Sequence, residues 1–395
     1  MPLDSHKDDH QTYLFLLTAI LFIAYLCIGM TLPVAPVFVA HDLGLNNLWA
    51  GATVGIAFLS TILTRGYAGK FVDNRGSKPA VRRGLILYMT GAVICLLAGF
   101  VSTIPTMALA ILMSGRIILG LGESFVSVGI NNWGIGLVGP QRSGLVMSLV
   151  GAAIYGAIGV GGPVGLSLYH MIGYANTMLA GFILPALGLF AIIKIPLVPP
   201  QPIRYRPSFL TIIGKIWLHG SIICLQGIGF ATIGTFFTLY FTEKHWPGAG
   251  MGLGAFGAGF VLVRIFCGGL PDRMGGLPVA TLSLIVEAVG QLLIWNSHSP
   301  AAALVGAFMT GLGCSMIFPG VGKEVVNLVT PPLRGTAIGG FSAFQDLAYG
   351  LTGPLAGFIA DIAGYKEIFL AGSLASVLGF AVALFLRFRP VKPVQ

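Results

Sequence analysis

Charge is what this sequence has least of. Asp, Glu, Lys and Arg make up 9% of its 395 residues, against about 25% in a soluble domain. With 55% of residues hydrophobic, folding alone cannot hide the apolar surface from water, so lipid is the expected solvent. Cysteine is also sparse. Cys27, Cys95, Cys224, Cys267 and Cys314 stand singly in apolar stretches, with no CxxC and no Cys/His cluster. Neither a disulfide framework nor a metal centre is expected, and these thiols read as small packing residues. No G-x-x-x-x-G-K-[ST] loop occurs, so ATP-driven pumping by this chain is not expected. Without an HExxH helix or a nucleophile elbow, neither an enzyme nor a bound cofactor is expected. The net charge of +9 would suit nucleic acid, but the basic residues lie between apolar runs. They form no patch, so a nucleic-acid partner is excluded.

Long apolar runs are what the sequence does have. A membrane crossing needs about 20 apolar residues. Twelve such runs lie near 12–40, 46–70, 80–102, 106–137, 143–169 and 175–195, then 210–241, 248–271, 277–296, 300–329, 333–361 and 366–388. The first run is too long for a signal-peptide core and reads as a retained helix. With the N-terminus inside, 16 of the 22 Lys and Arg residues fall on the cytoplasmic side, and only Lys244 and Lys366 fall outside. That bias predicts cytoplasmic termini at both ends. One stretch breaks the pattern: five prolines between Pro196 and Pro207 cannot propagate a helix. The expected organisation is a six-helix bundle over 1–195, a cytoplasmic Pro-rich linker over 196–208 and a second six-helix bundle over 209–395. The fold class is therefore an all-α membrane protein of twelve transmembrane helices in two parallel six-helix repeats.

The repeat is visible in the residues. Arg65, Gly69, Asp73 and Gly76 each reappear 199 positions later, as Arg264, Gly268, Asp272 and Gly275. Further along, Gly120, Gly122, Pro140, Gly144, Gly162 and Pro163 match Gly311, Gly313, Pro331, Gly335, Gly353 and Pro354 at an offset of 191. Arg65, Gly69 and Asp73 recur every four residues, on one helix face.

These residues resemble the major facilitator superfamily over the whole chain. The turn Gly69–Lys78 matches its loop G-x-x-x-D-x-x-G-x-[RK], and Arg116 to Gly122 matches R-x-x-x-G-x-G of its fourth helix. The Gly162-Pro163 stretch is similar to the bent-helix motif of proton-exchanging exporters, with Ile158 where that motif has glycine. The chain as a whole is similar to bacterial sugar- or arabinose-efflux-like and drug/proton antiporter permeases. The resemblance implies a monomeric secondary transporter in a bacterial inner membrane, exporting a small organic solute (drug, sugar or metabolite) for protons by alternating access. A proton-coupled symporter or uniporter for a sugar, or a non-transporting sensor or scaffold, would share this architecture.

An ionisable group in hydrocarbon faces a cavity or a partner. Glu123 and Arg116 lie on one face of the fourth span, about 10 Å apart along its axis. Glu123 and Asp346, midway along the eleventh span, are the proton-coupling candidates, with Glu287 of the ninth span behind them. Arg116, Glu123, Tyr25, Asn132, Gln226 and Gln345 are the substrate candidates. The resemblance gives gating roles to Arg65, Gly69, Asp73, Gly76 and Lys78, and to Arg264, Gly268 and Asp272, with Asp73 docking on a helix N-terminus. Gly162, Pro163, Gly353 and Pro354 mark expected bends. Lys323 and Glu324 read as a local pair.

Overall fold

The structure is a computed structural model and describes residues 5–139, 142–199, 209–329 and 334–388. Among these residues every regular element is helical. Helices satisfy their backbone polar groups internally, as a hydrocarbon solvent demands. The first elements are α1 (Ser5–Val37), α2 (Asn47–Arg75), α3 (Ser77–Phe100), α4 (Pro105–Val138) and α5 (Ser143–Ala191). They are followed by α6 (Phe209–Glu243), α7 (Met251–Cys267), the short α8 (Leu270–Met274), α9 (Gly276–Trp295), α10 (Pro300–Asn327), α11 (Arg334–Ala363) and α12 (Tyr365–Phe388). Residues 200–208 of the Pro-rich linker, with Pro140 and Pro331, lie outside the described residues.

Nine helices among the described residues are long and apolar enough to cross a membrane, and α7 is a shorter apolar helix. One of the nine, Ser143–Lys194, holds 52 residues, more than twice what a single crossing needs. It turns at Gly173, whose φ of 81° breaks the helix. The break falls between the expected fifth and sixth spans. Large apolar side chains such as Leu63, Phe100, Phe190, Phe266 and Phe388 are strongly exposed, the surface expected where lipid replaces water.

The described residues of Met1–Leu45 and Ile56–Ile203 form one compact unit, and those of Asn46–Gly55 and Arg204–Gln395 form another. Helix α2 therefore contributes its first turns to the second unit and its remainder to the first. In the first unit α1 packs on α5 and α3 on α4; in the second α9 packs on α10 and α12, and α6 on α11.

The repeat seen in the sequence recurs as matching contacts inside each unit. Ser124 Oγ donates to the Thr61 carbonyl at 2.7 Å. Its counterpart Ser315 Oγ donates to the Phe260 carbonyl, also at 2.7 Å. A methyl group on Gly120 would overlap the Ala57 carbonyl, and one on Gly311 would overlap the Phe256 carbonyl. Gly91 meets Gly115 as Gly290 meets Gly306. Even the turns agree: Gly76 has φ 93° and Gly275 has φ 90°, a region only glycine enters without strain. The two turns differ on their N-terminal side. Helix α2 runs unbroken to Arg75, whereas α7 stops at Cys267 and restarts as α8 around Pro271, where Gly268 and Gly269 weaken the helix.

Close backbone approach replaces the missing hydrophobic pull between helices in lipid. Gly91→Leu and Gly290→Leu should each destabilise the protein by about 1–3 kcal/mol through overpacking. Gly66→Ala, where nothing lies within 4 Å of the added carbon, should leave the melting temperature nearly unchanged. Thermal unfolding of the three purified variants checks this.

Candidate functional site

The polar interior of the first unit is built on α4. Its 34 residues place Arg116 and Glu123 on the buried side, 2% and 8% exposed. Glu123 thus points into protein rather than to the lipid-facing surface. The Tyr25 hydroxyl of α1 donates to its Oε1 at 3.2 Å. Tyr88 of α3 is fully buried beside Tyr25 and Glu123. Arg116 donates from Nη1 to Thr31 Oγ1 at 3.0 Å, which fixes it to α1. Along the same face, hydroxyls tie α4 to α2: Ser60 Oγ donates to the Ile117 carbonyl at 2.9 Å and Thr61 Oγ1 to the Gly120 carbonyl at 3.0 Å. These bonds position α4 without using the ionisable groups.

Of the substrate candidates, Tyr25, Arg116 and Glu123 lie together in this interior. Asn132 does not. It is exposed and folds back on its own helix, its amide donating to the Val128 carbonyl at 2.9 Å. Lys78 donates to the Ile193 and Ile195 carbonyls at 3.1 and 2.7 Å, and lies over the Trp133 ring. It therefore anchors the chain that leaves α5. Arg65, Gly69 and Asp73 are half-buried and Gly76 is buried.

In the second unit, Gln226 and Asp346 are buried, and Gln345 donates to the Tyr349 hydroxyl at 2.8 Å. Asp272 pairs with Lys323 at 2.9 Å across an exposed surface, and Arg264 lies over Phe260. At the expected bends, α5 contains Pro163 and α11 contains Pro354.

Sequence reasoning gave Glu287 little weight, and the structure puts it at the centre of the second unit. It is 0% exposed, and among the described residues neither carboxyl oxygen makes a hydrogen bond of ordinary geometry. Cys314 and Ser376 lie beside it, and Gln226 reaches the same thiol. One turn on, the Gln291 amide donates to the Gly229 carbonyl at 3.0 Å. The repeat offsets carried the signal that was missed. Glu287 stands 199 positions after Tyr88, and Cys314 stands 191 after Glu123. The acidic group has changed places between the two helices of the same pair.

Among the described residues no cluster of His, Cys, Asp and Glu could hold a metal ion. What this geometry offers is a carboxyl and a guanidinium held inside a helical unit by hydroxyl groups.

The comparisons with known proteins agree. The model of the Major Facilitator Superfamily matches residues 17–276 and 220–395. An uncharacterised MFS-type transporter of Salmonella typhimurium is 43% identical over 369 residues, covering 93% of this chain and 95% of its own. Another, from Burkholderia mallei, is 37% identical over 373 residues, covering 94% and 91%. Among solved structures, the human organic anion transporter TETRAN superposes with a TM-score of 0.72 at 16% identity, over 95% of this chain and 99% of its own. A mutant of the nucleoside transporter NupG gives 0.75 at 15%, over 95% and 100%. At such identities these two show the shared fold alone. The chain belongs to the Major Facilitator Superfamily. It is a multi-pass membrane protein of a transporter family, and not an enzyme.

A buried polar group without a partner costs about 1–3 kcal/mol. Glu287→Met, which removes the group and keeps its volume, should raise the melting temperature of the purified protein. A fall would mean that the carboxyl has a stabilising partner.

Proposed function

We propose that this protein is a proton-coupled antiporter that exports a small organic solute across a bacterial inner membrane by alternating access. Glu123 is the coupling group, and Asp346 is a second one. The observation that carries this reading is the buried Glu123 carboxyl, hydrogen-bonded to Tyr25 and two helical turns from the buried Arg116. An ionisable group inside a membrane-spanning helix faces a cavity or a partner and marks an ion or proton pathway.

Tyr25, Arg116, Gln226 and Gln345 are the side chains assigned to the solute. Asn132, exposed and bonded to its own helix, is a weaker member of that set. Helix bending falls to Gly162, Pro163, Gly353 and Pro354. The Gly69–Gly76 turn with Arg65 and Asp73 gates the first half, and the turn with Arg264, Gly268 and Asp272 gates the second. A carboxylate at a helix N-terminus is worth about 0.3–2 kcal/mol, enough to bias two states without locking them. The exposed Lys323 pair weakens the second turn's claim on any other partner only slightly, since such pairs are worth about 0–1 kcal/mol. Both termini are placed in the cytoplasm by the distribution of Lys and Arg, and the working unit is a monomer.

The test uses purified protein in liposomes. A ligand-induced thermal-shift screen over sugars, metabolites and cationic drugs first selects the solute. Glu123→Gln should then reduce pH-driven flux of that solute to the level of empty liposomes. It should leave gel-filtration behaviour and melting temperature close to those of the parent. Undiminished pH-driven flux in Glu123→Gln would remove Glu123 from the coupling role.

A further inference from the structure

Helix α2 is divided between the two compact units after Gly55. What attaches its first turns to the second unit is unusually well defined. The Asp361 carboxylate, at the C-terminal end of α11, sits on the N-terminus of α2. Its Oδ1 accepts the Asn47 backbone N–H at 3.1 Å and the Asn47 side-chain amide at 2.9 Å. Its Oδ2 accepts the Leu48 N–H at 3.2 Å. The Tyr365 hydroxyl completes the group by donating to Asn47 Oδ1 at 2.6 Å. These bonds satisfy two N–H groups that a helix start leaves open, with an anion at the positive end of the helix dipole.

Below this cap the two helices meet backbone to backbone. A methyl on Gly51 would overlap the Gly353 carbonyl, and one on Gly353 would overlap the Gly51 carbonyl. Gly55 meets Gly350, and Gly357 meets Asn47, in the same manner. Such a contact is tight but easily undone. It interlocks few side chains, and Asp361 itself is exposed, so water can take over its hydrogen bonds. The buried seam between α2 and α4, with Ser124 bonded to the Thr61 carbonyl, has no such exit. The device is also not duplicated. The position 191 residues before Asp361 is His170, which supplies no carboxylate.

We propose that Asp361 is a releasable latch that holds the outer end of α2 on α11 in one state of the transport cycle and frees it in the other. The contact sets the population of that state by the strength of a single carboxylate cap on a glycine-paired helix crossing. This rests on the alternating-access reading and on cytoplasmic termini, which place the start of α2 on the outer face. Release needs neither a new bond nor unfolding: α2 leaves a capped end and a smooth glycine face.

The test is hydrogen–deuterium exchange, read by mass spectrometry on the full chain in lipid nanodiscs. No solute or proton gradient is used, so the result does not depend on the cargo or on Glu123. Asp361→Ala removes the cap. Gly353→Ala leaves the carboxylate in place and wedges the helices apart, which guards against a folding defect peculiar to the first variant. Exchange of residues 47–55 should rise by roughly three- to thirtyfold, the range a lost cap produces, with Gly276–Trp295 unchanged. Asp361→Glu should restore part of the protection. A local rise in either variant supports the latch. Exchange of 47–55 at the parent rate in both, or an equal rise over Gly276–Trp295, overturns it.

Discussion

Lipid gives helices no hydrophobic reason to associate with one another, because the acyl chains are as apolar as leucine. Much of this structure follows from that constraint. Helices here approach through glycine, which makes up 57 of the 395 residues, and through hydroxyls that bond to carbonyls on the next helix. Ser60, Thr61 and Ser124 do this between α2 and α4, and Ser315 does it between α10 and α7. The same constraint makes each buried ionisable group expensive. Arg116, Glu123, Glu287 and Asp346 are four such groups, all buried, in a chain that carries few charges at all.

The two halves have kept their packing and changed their polar interiors. The contacts that bring backbones together, Gly120 to Ala57 and Gly311 to Phe256, are the same contact twice. The polar positions between them are not. Where the first unit has Tyr88 and Glu123, the second has Glu287 and Cys314 at the matching places. Close packing in lipid constrains both halves alike. The buried polar side chains are free of that constraint, and there the halves diverge. The carboxyl of the first unit has a hydroxyl donor in Tyr25. In the second, Glu287 has Cys314 and Ser376 beside it, and among the described residues neither of its carboxyl oxygens makes a hydrogen bond of ordinary geometry.

Much of the fold was legible because it depends on composition and period. Apolar run length gave the spans, and even the break inside α5 fell where polar residues interrupt the run, at Gly173. Fixed offsets gave the repeat. The buried position of Glu123 followed from the cost of charge in hydrocarbon. Other features are set by contacts distant in sequence and leave no local pattern. Lys78 reads as one basic residue of a cytoplasmic turn, yet its partners are the carbonyls of Ile193 and Ile195. Asp361 ends the apolar run 333–361 with nothing in the local sequence to single it out, yet it caps a helix that begins at Asn47. Asn132 reads as a polar group facing a solute, yet its amide is satisfied by Val128 one turn back, the bond a short polar side chain makes when nothing better is in reach.

Alternating access requires the Glu123 site to meet water on each side of the membrane in turn. The direct measurement is thiol accessibility at Glu123→Cys, with the five native cysteines replaced. A membrane-impermeant thiol reagent is added to right-side-out vesicles and, separately, to inside-out vesicles. Alternating access through this site predicts labelling from both faces. A residue that reacts from neither face, while the denatured protein labels fully, would contradict it.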